Sequence, residues 1–134
     1  MDWKLELVVV PVADQDRAKA FYVDQIGWDL LVDHRAGPEF RVVQVAPPGS
    51  ACAVALMRDA ASAGSVQGLH LVVNDAEVAR SSLLDRGVDV TTLFHFADGV
   101  QTAGPDAQRR DYGTFFSFTD PDGTGWLVQE VGRA

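Results

Sequence analysis

Apolar residues along this chain fall into two series of the same form. In each, a short aliphatic run is followed by an aspartate, then by apolar positions at helical spacing, then by a glycine and another run. The first series is Leu7-Val8-Val9-Val10, Asp14, Arg17-Ala18, Phe21-Tyr22 and Gly27. The second is His70-Leu71-Val72-Val73, Asp75, Ala79-Arg80, Leu83-Leu84 and Gly87. Self-similarity of this kind marks a duplicated unit, and a pair of such units can face each other across a pocket.

The pattern predicts elements in each half. Leu5 to Val10 reads as a continuous apolar strand, buried on both faces or lining a cavity and ended by Pro11. Asp14 or Asp16 then caps a helix whose inward positions are Ala18, Phe21, Tyr22 and Ile26, with Gly27 supplying the left-handed stop. Trp28 to His34, Phe40 to Ala46 and Cys52 to Met57 alternate with turn residues and predict an antiparallel meander. Arg58 to Val66 is rich in Ala, Ser and Gly, so residues 59–66 read as a linker between units 1–58 and 67–134.

The second half repeats the plan with one departure. Leu69 to Val73 is its strand, Asp75 caps a helix to Arg86, Gly87 stops it, and Val88 to Phe94 follows as a strand. Phe96 to Asp111 is long and polar, and reads as a functional or mobile loop. Tyr112 to Thr119 resumes as a strand, Asp120-Pro121-Asp122-Gly123 is a tight turn, and Gly125 to Val131 closes the chain's pattern. Each half is thus a βαβββ unit, which makes the chain α+β.

Composition narrows the partners. The 134 residues are 47% hydrophobic, enough for one domain's core, and the formal charge of -8 argues against nucleic acid or anionic membrane. No apolar run approaches the roughly 20 residues of a membrane span, and Met1-Asp2-Trp3-Lys4 is no signal peptide, so a cytoplasmic setting is expected. The single cysteine, Cys52, excludes an internal disulfide and stands among apolar residues as a small packed side chain.

Val12-Ala13-Asp14, Arg17-Ala18, Phe21-Tyr22, Gly27-Trp28 and the late Asp120-Pro121-Asp122-Gly123 followed by Trp126-Leu127 resemble the glyoxalase, bleomycin-resistance and extradiol-dioxygenase superfamily, also called the vicinal oxygen chelate fold. Gly68-Leu69-His70-Leu71, Gly104-Pro105-Asp106, Tyr112-Gly113 and Gly125-Trp126-Leu127 resemble a bacterial glyoxalase-like subgroup. The resemblance spans nearly the whole chain. It implies a single glyoxalase-like domain over 1–134, two units whose mixed sheets curl into a half-barrel around a ligand or metal cavity, and often a homodimer.

Metal-using relatives hold a divalent ion such as Ni, Zn, Mn or Fe with His on the first strand of each unit and Glu on the last. Aligned by its motifs, this chain has Leu7, Gly68 and Leu127 at those positions, and none offers a side-chain donor. The expectation is therefore no metal and no other cofactor. His70 shares a strand face with Gly68, whereas Glu6 and Glu130 are turned away by strand alternation.

If the chain is catalytic, His70, Tyr112 and His95 are the acid–base candidates, His95 with Asp98 as its carboxylate partner. A core role for His70 and a solvated one for His95 are the plainer alternatives. Ligand-binding candidates are Arg41 with Gln44, taken to share its face, and Phe115, Trp126 and Arg109, the last able to hold an anionic group. Phe115 and Phe116 occupy opposite faces, so one should line the cavity and the other pack on a helix.

Three functions follow as expectations. The first is a metal-independent protein binding, and possibly sequestering, a small organic ligand in an apolar cavity. The others are a divalent-metal lyase, isomerase or dioxygenase using His70, and a metal-free acid–base enzyme of a biosynthetic pathway.

Overall fold

A computed structural model describes residues 1–133. The chain forms two compact units, one of Met1–Val66 with Asp120–Thr124, the other of Gln67–Thr119 with Gly125 onward. The two sheets are mixed, and helices are few, in keeping with the expected α+β class.

The first unit contains β1 (Leu7–Val12), α1 (Gln15–Lys19), a π-helical segment (Ala20–Gln25), β2 (Asp29–Arg35), β3 (Arg41–Ala46) and β4 (Ala53–Arg58). Its sheet order is β1-β4-β3-β2, with β1 parallel to β4 and the expected antiparallel meander among the rest. Asp14 caps α1 by accepting from the Asp16 and Arg17 backbone N–H groups at 2.9 and 3.1 Å.

Three expectations need correction here. The helix does not stay α to its end: the wider π turn brings the neighbouring rings of Phe21 and Tyr22 both into the core, at 6% and 0% exposure. Its closure at Gly27 (φ 79°) is correspondingly stretched, the Trp28 N–H donating to the Tyr22 carbonyl at 2.8 Å. Nor does Pro11 end β1, since Pro11 and Val12 pair with Met57 and Arg58. An edge strand tolerates a residue without an N–H. As an edge strand β1 is also not buried on both faces: Val10 and Val12 are fully buried, while Val9 is exposed.

The core of this unit is Val10, Val12, Tyr22, Val43, Val45 and Leu56, all at 0% exposure. The turn at 120–124 belongs to it chemically as well. Tyr22 donates its hydroxyl to Asp120 Oδ2 at 2.8 Å, and Asp120 Oδ1 accepts from the Asp122 and Thr124 backbone N–H groups at 2.9 Å. Arg17 pairs with Asp122 at 2.6 Å. Gly64 sits at φ 80° against this turn, where a Cβ would run into the Asp122 carbonyl.

The second unit contains β5 (Leu69–Val73), α2 (Ala76–Asp85), β6 (Phe94–Ala97), β7 (Val100–Ala103), β8 (Phe115–Thr119) and β9 (Gly125–Glu130). Its order is β5-β9-β8-β6-β7, with β5 parallel to β9 as β1 is to β4. Asp75 caps α2 through the Val78 N–H, and Gly87 follows its end at φ 78°. Phe116, Phe118, Trp126, Val128 and Glu130 form the buried face, which packs on α2.

The chain between α2 and β8 differs from the sequence reading. Residues 88–93 form only an isolated bridge, Val90 to Phe118, and the strand begins at Phe94. The expected loop over Phe96 to Asp111 instead starts with a β6–β7 hairpin, so this unit has one strand more than βαβββ. Its turn is Asp98-Gly99, with φ of 52° and 76°, as a two-residue type I′ turn requires. That Asp-Gly pair was the overlooked signal. Tyr112 lies outside β8, in a left-handed turn at φ 61°.

Candidate functional site

Strand register sorts the candidates by face. On the second sheet, the face opposite the core is only partly covered, and two rows of side chains cross it. One is His70, Leu127 and Ser117, and the other is Val72, Gln129, Phe115 and Phe94. Phe94 stacks on Phe115 with centroids 5.6 Å apart, and Phe96 meets Phe115 edge-on at 5.5 Å. Phe96 is half exposed, so the cluster presents aromatic surface beside the hydroxyl of Ser117 and the amide of Gln129, with His70 two strands from Phe115 on β5. Such a mixture suits a small organic ligand.

His70 is exposed, and its Nδ1 lies 2.5 Å from the Gly68 carbonyl. A carbonyl only accepts, so Nδ1 carries the proton and a neutral ring leaves Nε2 as an acceptor on the open face. His95 follows Phe94 on β6 and hence projects to the other face, where Nδ1 donates to the Gly104 carbonyl at 2.7 Å. Among the described residues no hydrogen bond or ion pair joins it to Asp98, which stands in the hairpin turn after β6. Tyr112 is 60% exposed in its loop. The structure does not gather His70, His95 and Tyr112 on one face of the sheet.

In the first unit, Gln44 lies in a row with Val9, Ala55 and Val32 on the less covered face. Arg41 is on the opposite face, correcting the expectation that the two share one. Three residues along a strand reverse direction. Arg41 pairs with Asp33 at 2.9 Å and Asp16 at 2.7 Å, and Lys19 adds to Asp33 at 2.8 Å.

Arg109 is likewise occupied. It forks onto Glu130 at 3.0 and 2.7 Å and reaches Glu77 at 2.6 Å. Glu130, 1% exposed, also accepts from the Ala76 N–H at the start of α2 at 2.9 Å. Arg110 forks onto Asp106 at 3.0 and 2.9 Å. Trp126, 4% exposed, stacks on Phe118 in the core, and Phe116 is fully buried while Phe115 is not. The partner of Arg109 is not visible in the sequence because Glu130 is 21 residues away, whereas Asp106 stands four residues before Arg110.

These pairs set the acid response. Arg41, then Lys19, holds the Asp33 carboxyl below its ordinary range, and Arg110 does the same for Asp106. Burial pushes Glu130 up, but Arg109 and the Ala76 N–H outweigh it and the carboxyl sits low. The same groups titrate near about 4 in an unfolded chain. Between those values and the lower folded ones the unfolded chain binds more protons, so stability rises with pH there. The stabilisation should be complete above about pH 5 and lost as pH falls through the folded values. Urea midpoints at pH 7, 5 and 3 check this: the first two should agree and the third should be lower.

Sequence and structure comparisons agree with this architecture. Residues 4–128 match the Glyoxalase/Bleomycin resistance protein/Dioxygenase superfamily, and the chain belongs to it. Among particular relatives, TnmS3, an antibiotic binding protein from Streptomyces sp. CB03234, is 32% identical, with a TM-score of 0.75 and 98% of each chain covered. A superfamily member from Sphaerobacter thermophilus is 27% identical, with a TM-score of 0.76 over 96% of this chain and 98% of that one. The protein YetH of Bacillus subtilis is 30% identical over 125 residues, which cover 92% of this chain and 94% of YetH.

The donor set does not fit the divalent ion used by some superfamily members. Leu7, Gly68 and Leu127 supply no ligating side chain, and His70 is flanked across its sheet by Leu127 and Ser117. Glu130 is turned to the helix side. Among the described residues, no three His, Cys, Asp or Glu side chains group so as to hold a metal. Also among the described residues, no helix is long and apolar enough to cross a membrane.

Proposed function

We propose that this protein binds a small organic molecule with a planar aromatic part, without a metal ion, and that binding rather than turnover is its function. The observation that carries the reading is the aromatic group of Phe94, Phe96 and Phe115, with Ser117 on the same strand as Phe115 and Gln129 on the next. The rings supply apolar area, and the polar groups orient the ligand. The 32% identity to an antibiotic binding protein over 98% of both chains supports the same reading. It extends to sequestration of the ligand and to a cytoplasmic homodimer; the single cysteine suits a reducing compartment.

An acid–base enzyme is less well supported, since His95 and His70 project to opposite faces. The test is calorimetric titration with a panel of planar aromatic compounds and aliphatic compounds of matched size, in the presence of a chelator. At least one aromatic compound should bind, and Phe115→Ala should weaken it about tenfold, the loss expected for one stacked ring. Failure of every aromatic compound to bind, or binding that disappears on chelation, would overturn the reading.

A further inference from the structure

Phe115, Ser117 and Thr119 alternate along β8 and so share the less covered face of the second sheet. Beside the last two runs the segment between α2 and β6. The isolated bridge from Val90 to Phe118 sets Asp89 opposite Thr119 and Thr91 opposite Ser117, and the Thr91 N–H donates to the Ser117 carbonyl at 2.9 Å. Residues opposed across an antiparallel pair project to one side, so these four polar side chains leave the sheet on the face that carries the aromatic rings. Together with Val90 and Phe118 they line a groove of about 260 Å³.

The groove is rich in acceptors. A hydroxyl has one proton, and that of Thr91 goes to the Thr92 carbonyl at 3.0 Å while its oxygen accepts from the Ser117 N–H at 2.9 Å, which leaves only a lone pair to offer. The exposed Asp89 carboxylate forms no hydrogen bond or ion pair among the described residues. Arg80 reaches the segment from α2, its Nε donating to the Thr91 carbonyl at 2.7 Å, and pins the backbone that carries Asp89 and Thr91. A positive group with several N–H donors satisfies such a lining, whereas a carboxylate or phosphate would meet Asp89 with like charge. The net charge of -8 attracts the same class of ligand.

We propose that this groove is a second subsite, which takes a protonated amine carried by the ligand whose aromatic part lies on Phe115. Ser117 and Thr119 stand two and four residues from Phe115, so the amine lies about 7–14 Å from the ring at the rise of a strand. The inference rests on the aromatic reading above and adds the charge and the length of the ligand.

Three probes sharing a dansyl ring test it by fluorescence titration at pH 7: dansylcadaverine, whose chain ends in a primary ammonium, its N-acetyl derivative, and N-dansyl aminohexanoic acid. The unaltered chain should bind the ammonium probe about fivefold more tightly than the acetylated one, the gain of one exposed ion pair, and the acid most weakly. Asp89→Asn, an isosteric change at an exposed side chain, should abolish the preference and leave the affinity for the acetylated probe as it was, while Phe115→Ala should weaken all three. Thermal melts show that each variant is folded. Equal binding of the three probes, or a preference that survives Asp89→Asn, would overturn the subsite and leave the aromatic reading. Should no dansyl probe bind, n-hexylammonium followed by backbone amide NMR decides: shifts at residues 89–91 and 117–119 that vanish in Asp89→Asn would support the groove without the rings, and their absence would overturn both.

Discussion

Glu130→Ala lowers the unfolding free energy by roughly 3–5 kcal/mol, the usual cost of removing one partner from a buried ion pair. The carboxylate is 1% exposed and satisfies three donors: two guanidinium nitrogens of Arg109 and the Ala76 N–H. Its loss leaves Arg109, with a side chain only 16% exposed, to Glu77 alone and orphans a backbone donor at the start of α2. Replacing both partners, as in Arg109→Met with Glu130→Leu, should cost markedly less than either single change, because no uncompensated charge remains. Denaturant titration of the singles and the double measures this directly. Equal losses in all three would show that shape, not charge compensation, sets the cost.

Asp120→Ala is expected to cost about 3 kcal/mol or more, since orphaned donors cost about 1–3 kcal/mol each. Here they are the Tyr22 hydroxyl and the Asp122 and Thr124 N–H groups. Tyr22 is completely buried, and Thr124 is fully buried too, so the hydroxyl and one amide have little access to water. Tyr22→Phe removes only one bond to a charged acceptor and should cost about 1.5–2 kcal/mol. The contrast between the two variants in chemical denaturation separates the turn's own geometry from its tie to Tyr22. If Asp120→Ala cost no more than Tyr22→Phe, the two backbone bonds would contribute nothing.

Much of the fold was legible because its signals are local. Asp14 and Asp75 cap their helices within three residues of themselves, and Gly27 and Gly87 follow the helix ends at positive φ. The duplicated pattern anticipated two mixed sheets, one in each half; that the first strand of each runs parallel to a later one came from the structure. Local signals also went unused: Asp98-Gly99 announces a hairpin, and the odd spacing of Arg41 and Gln44 already places them on opposite faces.

The candidate site was less legible. Phe115 was recognised, but Phe94 and Phe96 joined it only through the pairing of β6 with β8 across 21 residues. Arg109 and Arg41 were candidates for a ligand's anionic group because a sequence shows charges without showing that Glu130 and Asp33 neutralise them. A buried carboxylate such as Glu130 or Asp120 must find its donors wherever the fold provides them.

By itself the sequence determined the capped helices, the turns, the repeated plan and the superfamily, all of which depend on residues within one element or on motifs of fixed spacing. Only the tertiary structure decided which faces stay open, which arginines are spent on carboxylates and which aromatic rings meet. Those outcomes depend on strand register and on pairings between distant residues, where a shift of one position exchanges every buried side chain for an exposed one.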